Sequence, residues 1–306
     1  MKYTHYTKKI FISPVSILIK TRYQIALMKK VGITAVGEDH EGIVAAFTNF
    51  VFAKGGNIET IHQNVVRGLF GMYVEASFQD LDYKKFGAQI RKLGADEGMD
   101  VSTYHATATR KNIAIFVTKE SHCLEAILED AKSGRLSDQI AVVVGTESTL
   151  QDLVQKEDIP FVVIKDRNQE KAEVQLLAIC EEYKIDLIVL ARYMRILTPN
   201  FVWRYPRRII NIHPSLLPAF PGALAYQQAF ERGTKIVGVT SHYVTENLDQ
   251  GPIILQESFG VEPDDTLKTI KSKGQKLESD TLSRAVRLHL ENRLEVHWRK
   301  VSIKRE

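Results

Sequence analysis

Cysteine is scarce. The 306 residues hold two, Cys123 and Cys180, with no metal-type spacing between them, and neither C-x-x-C nor H-E-x-x-H occurs. Disulfide scaffolds and the common zinc-hydrolase motif are thereby set aside, and a reducing compartment, the cytoplasm, is the expected setting. Each cysteine reads as a small buried apolar residue. No apolar run approaches the ~20 residues of a membrane span. The nearest, Ile10–Ile19, is interrupted by Pro14 and two serines, closed by Lys20 and followed by no clear small-residue cleavage site. Internal repeats and low-complexity tracts are missing too. Residues 1–27 contain no acid but carry Lys2, Lys8, Lys9, Lys20 and Arg22. These five bases exceed the whole formal surplus of +4 and leave the remainder one acid in excess, so its balance offers nucleic acid no attraction. The stretch is expected to be a poorly ordered extension outside the fold, with Met28 as an alternative start.

What remains is ordinary globular material, 44% hydrophobic and 25% charged, long enough for about two domains. The first is expected over 28–108. A strand at Lys30–Gly37 leads through Asp39-His-Glu-Gly42 into a helix with Ile43, Val44, Phe47, Phe50 and Val51 on one stripe, Asp39 serving as N-cap. Gly55-Gly56-Asn57 ends that helix. Ile58–Val66 and Leu69–Phe78 form a hairpin around Arg67-Gly68, and a helix Tyr83–Gly98 and a strand Asp100–Thr107 complete a ferredoxin-like βαββαβ order. The Asp-x-x-Gly turn and the Gly-Gly-Asn-Ile segment resemble an ACT domain. That resemblance implies an amino-acid effector near Asp39, His40, Gly42 and Asn57, or subunit pairing in a homo-oligomer with no ligand.

Over 110–306, strands Asn112–Val117, Ile140–Val144, Phe161–Ile164, Leu187–Leu190 and Ile209–Ile212 alternate with helices such as Cys123–Lys132 and Gln169–Tyr183. This α/β alternation predicts a Rossmann-like, mainly parallel sheet covered on both faces. Ile236–Val244 and Ile253–Phe259 have no helix between them and should pair antiparallel, before a long helix from Asp264 to near Glu291. The chemistry concentrates where Arg208-Arg-Ile-Ile-Asn-Ile-His-Pro ends a strand. Asn211 and His213 are two apart, so they share a side of the strand at its carboxyl end, where such sheets open their crevice. An amide donor beside an imidazole suits chemistry at a carbonyl. A tight return through Leu217-Pro218 invites a cis peptide. Asn247-Leu-Asp-Gln-Gly-Pro-Ile-Ile254 brings an acid, Asp249, and Leu190-Ala-Arg-Tyr-Met-Arg-Ile-Leu197 supplies apolar side chains.

These three segments, in this order, resemble the folate-dependent formyltransferase fold. The resemblance implies Asn211, His213 and Asp249 as the catalytic set and 10-formyltetrahydrofolate as the substrate, with no tightly bound cofactor and no metal. Met194, Arg195, Ile196 and Leu197 would hold the pterin ring on one side and Thr245, Glu246, Asn247 and Leu248 on the other. Arg192 either meets a folate carboxylate or faces solvent, and His242 reads as a core residue or a support behind the site. The loop Val117-Thr-Lys-Glu-Ser-His-Cys-Leu124 lacks the glycines that cradle a phosphate, and Glu120 would repel one. With the ACT domain, this resembles the deformylase branch, which releases formate for purine synthesis. Two departures keep an amine acceptor open. Pro214 stands where deformylases commonly carry a second histidine, and Gly222-Ala-Leu-Ala-Tyr-Gln-Gln228 replaces their basic-Pro-Tyr-His pattern. A regulator without turnover is the third reading, and keeping all three catalytic-type residues speaks against it. Whether His213 or Asp249 is the base stays open here.

Overall fold

The computed structural model describes residues 28–105, 110–222, 224–297 and 299–304. The expected extension, and the expected strand end at Ala106 and Thr107, lie outside them. The chain divides into two compact units, Met1–Ala106 and Thr107–Glu306.

The first unit runs β1 (Lys29–Glu38), α1 (Ile43–Ala53), β2 (Asn57–Val66), β3 (Leu69–Phe78), α2 (Tyr83–Asp96) and β4 (Met99–Tyr104). Its strands make an antiparallel sheet of order β2-β3-β1-β4. Val31, Ile33 and Ala35 alternate along β1 and meet Ile43, Phe47 and Val51, which recur every fourth residue of α1. Helix α1 stops as expected. Gly55 sits at φ 74 and donates to the Phe52 carbonyl, while Gly56 donates to that of Val51. Its start corrects the reading of Asp39. The N-cap is Gly42, at φ 93 and with no side-chain cap bond. Asp39 lies too far back to reach the second or third helical amide, and its own N–H is donated to the Gly68 carbonyl.

The second unit contains β5 (Asn112–Val117), α3 (His122–Lys132), β6 (Gln139–Gly145), α4 (Gln151–Gln155), β7 (Phe161–Val163), α5 (Gln169–Glu182), β8 (Leu187–Ala191), α6 (Pro199–Val202), β9 (Ile209–His213), α7 (Ala225–Glu231), β10 (Ile236–Tyr243), β11 (Ile253–Gly260), α8 (Leu267–Leu290), β12 (Leu294–His297) and β13 (Lys300–Ile303). They form one nine-stranded sheet, β12-β13-β11-β10-β9-β8-β5-β6-β7. The five strands from β9 to β7 are parallel, and β10 runs antiparallel to both β9 and β11. Strand β5 shows why its sequence is almost uniformly apolar. Ile113, Ile115 and Val117 pack with Cys123, Ile127 and Leu282 on one face, and Ala114 and Phe116 pack with Leu176 and Cys180 on the other. The chain leaves β5 toward β6 and β7 and then returns to add β8 and β9 on the opposite side. That reversal puts a topological switch point between the carboxyl ends of β5 and β8. Helix α8 starts at Leu267 rather than Asp264, because Thr266 and Thr269 close a capping box. Among the described residues no helix is long and apolar enough to cross a membrane.

Candidate active site

Strand β9 delivers Asn211 and His213 to the crevice. Its neighbours fix their heights: Asn211 pairs with Leu190 on β8 and with His242 on β10, and His213 with Thr240. Pro214 stops the strand, and the following loop folds back on buried Thr240. The Thr240 hydroxyl donates to the Ser215 carbonyl at 2.7 Å and accepts from the Leu217 N–H at 3.0 Å. The Leu217-Pro218 peptide is cis. This return places the Phe220 carbonyl 2.9 Å from His213 Nε2. A carbonyl only accepts, so Nε2 carries hydrogen there and Nδ1 is left facing Asp249.

Asp249 arrives from the β10–β11 connection with φ 55. Its Oδ2 accepts from the Gly222 N–H at 2.9 Å and lies 3.3 Å from His213 Nδ1. Its Oδ1 stands 3.8 Å from His242 Nε2, beyond hydrogen-bond reach. His242 is buried, and its Nδ1 is 2.9 Å from the Tyr243 carbonyl, so Nδ1 donates. Burial pushes its pKa below the ordinary histidine value, outweighing that carbonyl and Asp249, and the ring stays neutral. Nε2 is then an acceptor, 3.2 Å from Asn211 Nδ2. Asn211, His213 and Asp249 thus share one pocket floor, with His242 behind them.

The cleft above this floor has a volume of ≈ 1070 Å³, counting the solvent space at its mouth, which is ample for a fused ring system. Met194, Arg195, Ile196 and Leu197 line one wall, and Thr245, Glu246, Asn247 and Leu248 another. Met194, Ile196 and Leu248 are 59%, 64% and 49% exposed, and Leu224, 69% exposed, joins them. Apolar side chains left in solvent and gathered on one cleft are what a flat apolar ligand would cover. The 192–198 loop is held from outside: the Met194 N–H donates to Thr118 Oγ1 at 3.0 Å, Arg195 Nη1 to the Asp166 carbonyl at 2.8 Å and the Thr198 N–H to Glu173 at 2.7 Å. Among the described residues, the backbone groups of Arg195, Ile196 and Leu197 make no hydrogen bond to protein.

The sequence model of the Formyl transferase family matches residues 111–286, and that of the ACT domain residues 30–104. A formyltetrahydrofolate deformylase of Bacillus subtilis is 41% identical over 271 residues, 87% of this chain and 90% of the relative. The chain belongs to the formyltetrahydrofolate deformylase family. A deformylase of Haemophilus influenzae, 38% identical, covers 90% of this chain and 99% of its own length. The crystal structure of a formyltetrahydrofolate deformylase from Pseudomonas syringae superposes with a TM-score of 0.63 at 32% identity, over 94% of this chain and all of the other. A glycinamide ribonucleotide transformylase from Symbiobacterium toebii, 32% identical, covers 65% of this chain and 96% of its own length with a TM-score of 0.62, so the catalytic fold also serves transfer.

In this deformylase chain Arg192 is neither free for a folate carboxylate nor solvated. Its Nε lies 3.2 Å from Glu120 and 3.4 Å from buried Glu278. Among the described residues, His122, Cys123 and Glu278 bring three donor atoms within 4.8 Å of one another. They make a poor metal cradle, because Glu278 is already matched to Arg192 and burial holds the Cys123 thiol well above its usual pKa. The effector residues of the ACT unit do not converge within one chain. Asp39, His40 and Gly42 follow the end of β1, whereas Asn57 aligns through Ser77 with Lys30 at its start. The separation is eight or more residues of strand, ~25 Å. His40 is also engaged: its ring nitrogens reach the Glu97 and Glu41 carbonyls at 2.9 and 3.0 Å, so both donate, and these bonds raise its pKa. Sequence reasoning missed the Phe220 carbonyl and the Gly222 N–H, backbone groups that carry no residue signature.

Proposed function

We infer that the protein hydrolyses 10-formyltetrahydrofolate to tetrahydrofolate and formate in this cleft, and that Asn211, His213 and Asp249 carry the chemistry. The pterin lies between the 194–197 and 245–248 walls, its polar edge taking the unpaired backbone groups of Arg195 to Leu197. Asn211 donates to the formyl oxygen as it becomes an oxyanion, with its amide aimed by neutral His242. His213, with Nε2 on the Phe220 carbonyl and Nδ1 facing Asp249, holds that carboxylate in place. Asp249 keeps Oδ2 on Gly222 and His213, and its Oδ1 removes a proton from water as the water oxygen bonds to the formyl carbon. The tetrahedral adduct then breaks its C–N10 bond, and Asp249 returns the proton to N10. Formic acid leaves and ionises. The reading rests on one observation, the delivery of Asp249 from a separate loop to 3.3 Å from His213. An amino-acid effector at the ACT unit, a homo-oligomer, a cytoplasmic setting and formate supply for purine synthesis complete the proposal.

The deciding assay is purified protein with 10-formyltetrahydrofolate alone, following formate and tetrahydrofolate. Equal release of both is expected, and no release without an added amine overturns the reading. Asp249→Asn keeps the shape and removes the base, so kcat should fall at least ~10²-fold with KM little changed. Asn211→Ala should lose a similar factor through the oxyanion.

A further inference from the structure

The switch point between β5 and β8 holds a charge network that hydrolysis does not use. Arg192 directly follows β8, and its side chain, 15% exposed, lines the same cleft as Asn211 and His213. Its guanidinium reaches Glu120 from the loop after β5 and Glu278 from α8. Glu278 is fully buried, and its other oxygen accepts from Tyr226 of α7 at 2.7 Å. His122 Nε2 is 3.2 Å from the Glu278 oxygen that faces Arg192, and Lys271 Nζ is 3.3 Å from Glu120. Burial opposes the Arg192 charge, yet Glu278 and Glu120 outweigh it and hold its pKa above the ordinary value. A cleft wall thus has a buried carboxylate, expensive to desolvate, neutralised by the chain's own arginine. Water attack at the formyl carbon needs none of these groups. A second substrate bound in this cleft would meet the Arg192 side chain that lines it.

We propose that Arg192, clamped by Glu120 and Glu278, fills the acceptor half of the crevice and makes water the acceptor by exclusion. Arg192 is then a specificity-determining residue. The inference rests on the hydrolase reading and adds why a fold that serves transfer elsewhere yields hydrolysis here. Without the plug, an amine nitrogen bonds to the formyl carbon, the C–N10 bond breaks, and the amine proton ends on N10. The products are a formylated amine and tetrahydrofolate, with no further reactant.

The test measures the ratio of formylated amine to formate from 10-formyltetrahydrofolate, with glycinamide as the probe. Arg192→Gly opens the space, and glycine suits the φ of 61 found there. Because it leaves Glu278 buried and unpaired, Arg192→Gly with Glu278→Gln is made alongside. The ratio should rise at least about tenfold over wild type in the folded variant. A folded variant with the wild-type ratio overturns the proposal. Wild type is also assayed with ammonia, methylamine and glycinamide, which decides the matter should neither variant fold. A ratio that falls steeply with amine size is expected, and one indifferent to size overturns the proposal. Failure of the hydrolase reading shows separately, as wild type that releases no formate in the absence of amine.

Discussion

A single imidazole shows how far one side chain's surroundings set its use. The Tyr243 carbonyl fixes the proton of His242 on Nδ1, and burial keeps the ring neutral, so Nε2 can only accept. It therefore selects one orientation of the Asn211 amide, with NH₂ toward His242 at 3.2 Å. Replacing it removes that selection without touching substrate. His242→Ala is expected to lower kcat roughly fivefold, the worth of one hydrogen bond of order 1 kcal/mol, while KM stays within twofold or so. Steady-state kinetics on a variant with native circular dichroism would check it, and a KM effect as large as the kcat effect would argue for a direct contact instead. Asn211 and His213 could be read from sequence because a strand fixes the side of residues two apart. His242 could be placed only as core or support, because its partner lies 31 positions away and is reached through a cross-strand pair.

The connections, more than the strands, decide whether these groups meet. The β10–β11 loop carries Thr245 to Asp249 and is anchored by Gly251, where an added Cβ would sit 1.7 Å from the Tyr243 carbonyl oxygen. Backbone cannot yield cheaply there, so Gly251→Ala must push the loop away from β10. Since a displacement near 1 Å at a reacting group costs about 10²-fold, kcat/KM should fall by ten- to a hundredfold while formate remains the product. Activity equal to wild type would show that the loop is set by the Gly222–Asp249 bond alone. Helix α8 offers the contrasting case. Thr266→Ala removes a side-chain cap from an exposed helix start and should cost ~1 kcal/mol of stability with kcat unchanged, read from urea unfolding and initial rates. The strands up to β11 were readable from their apolar runs, whereas β12 and β13, four residues each, were not foreseen. The misread start of α1 at Asp39, and the short helices α6 and α7, depend on turn geometry that composition does not encode.

At the scale of the molecule, two units follow from two patterns, a βαββαβ order before residue 106 and alternating strands and helices after it. The switch point could be foreseen in kind, but not what occupies it. Arg192 and Glu278 are 86 positions apart, and nothing local to either announces the other. The same catalytic unit holds two histidines without charge, buried His242 and half-buried His289, which makes its stability depend on pH. Burial pushes His289 down to about 3, with its Nδ1 2.8 Å from the Tyr243 hydroxyl, and His242 is lowered for the same first reason. The sign follows from which state takes the proton. Below the unfolded value of 6.5 the unfolded chain protonates and the folded one does not, so stability is full above that pH and drains as pH falls toward the folded values. Each such group contributes a slope of up to about 1.4 kcal/mol per pH unit. His40 acts in the opposite sense, its raised value adding stability that is lost as pH rises, but it belongs to the other unit. Trp203 lies in the catalytic unit and residues 1–106 contain no tryptophan, so the fluorescence of Trp203 follows the catalytic unit's unfolding when two units need not melt together. Urea midpoints followed this way should fall steadily from about pH 7 to about pH 5. His289→Gln, which cannot take a proton, should flatten that fall over the same range, whatever it costs in absolute stability. An unchanged slope in the variant would mean that His289 is not the group refusing the proton.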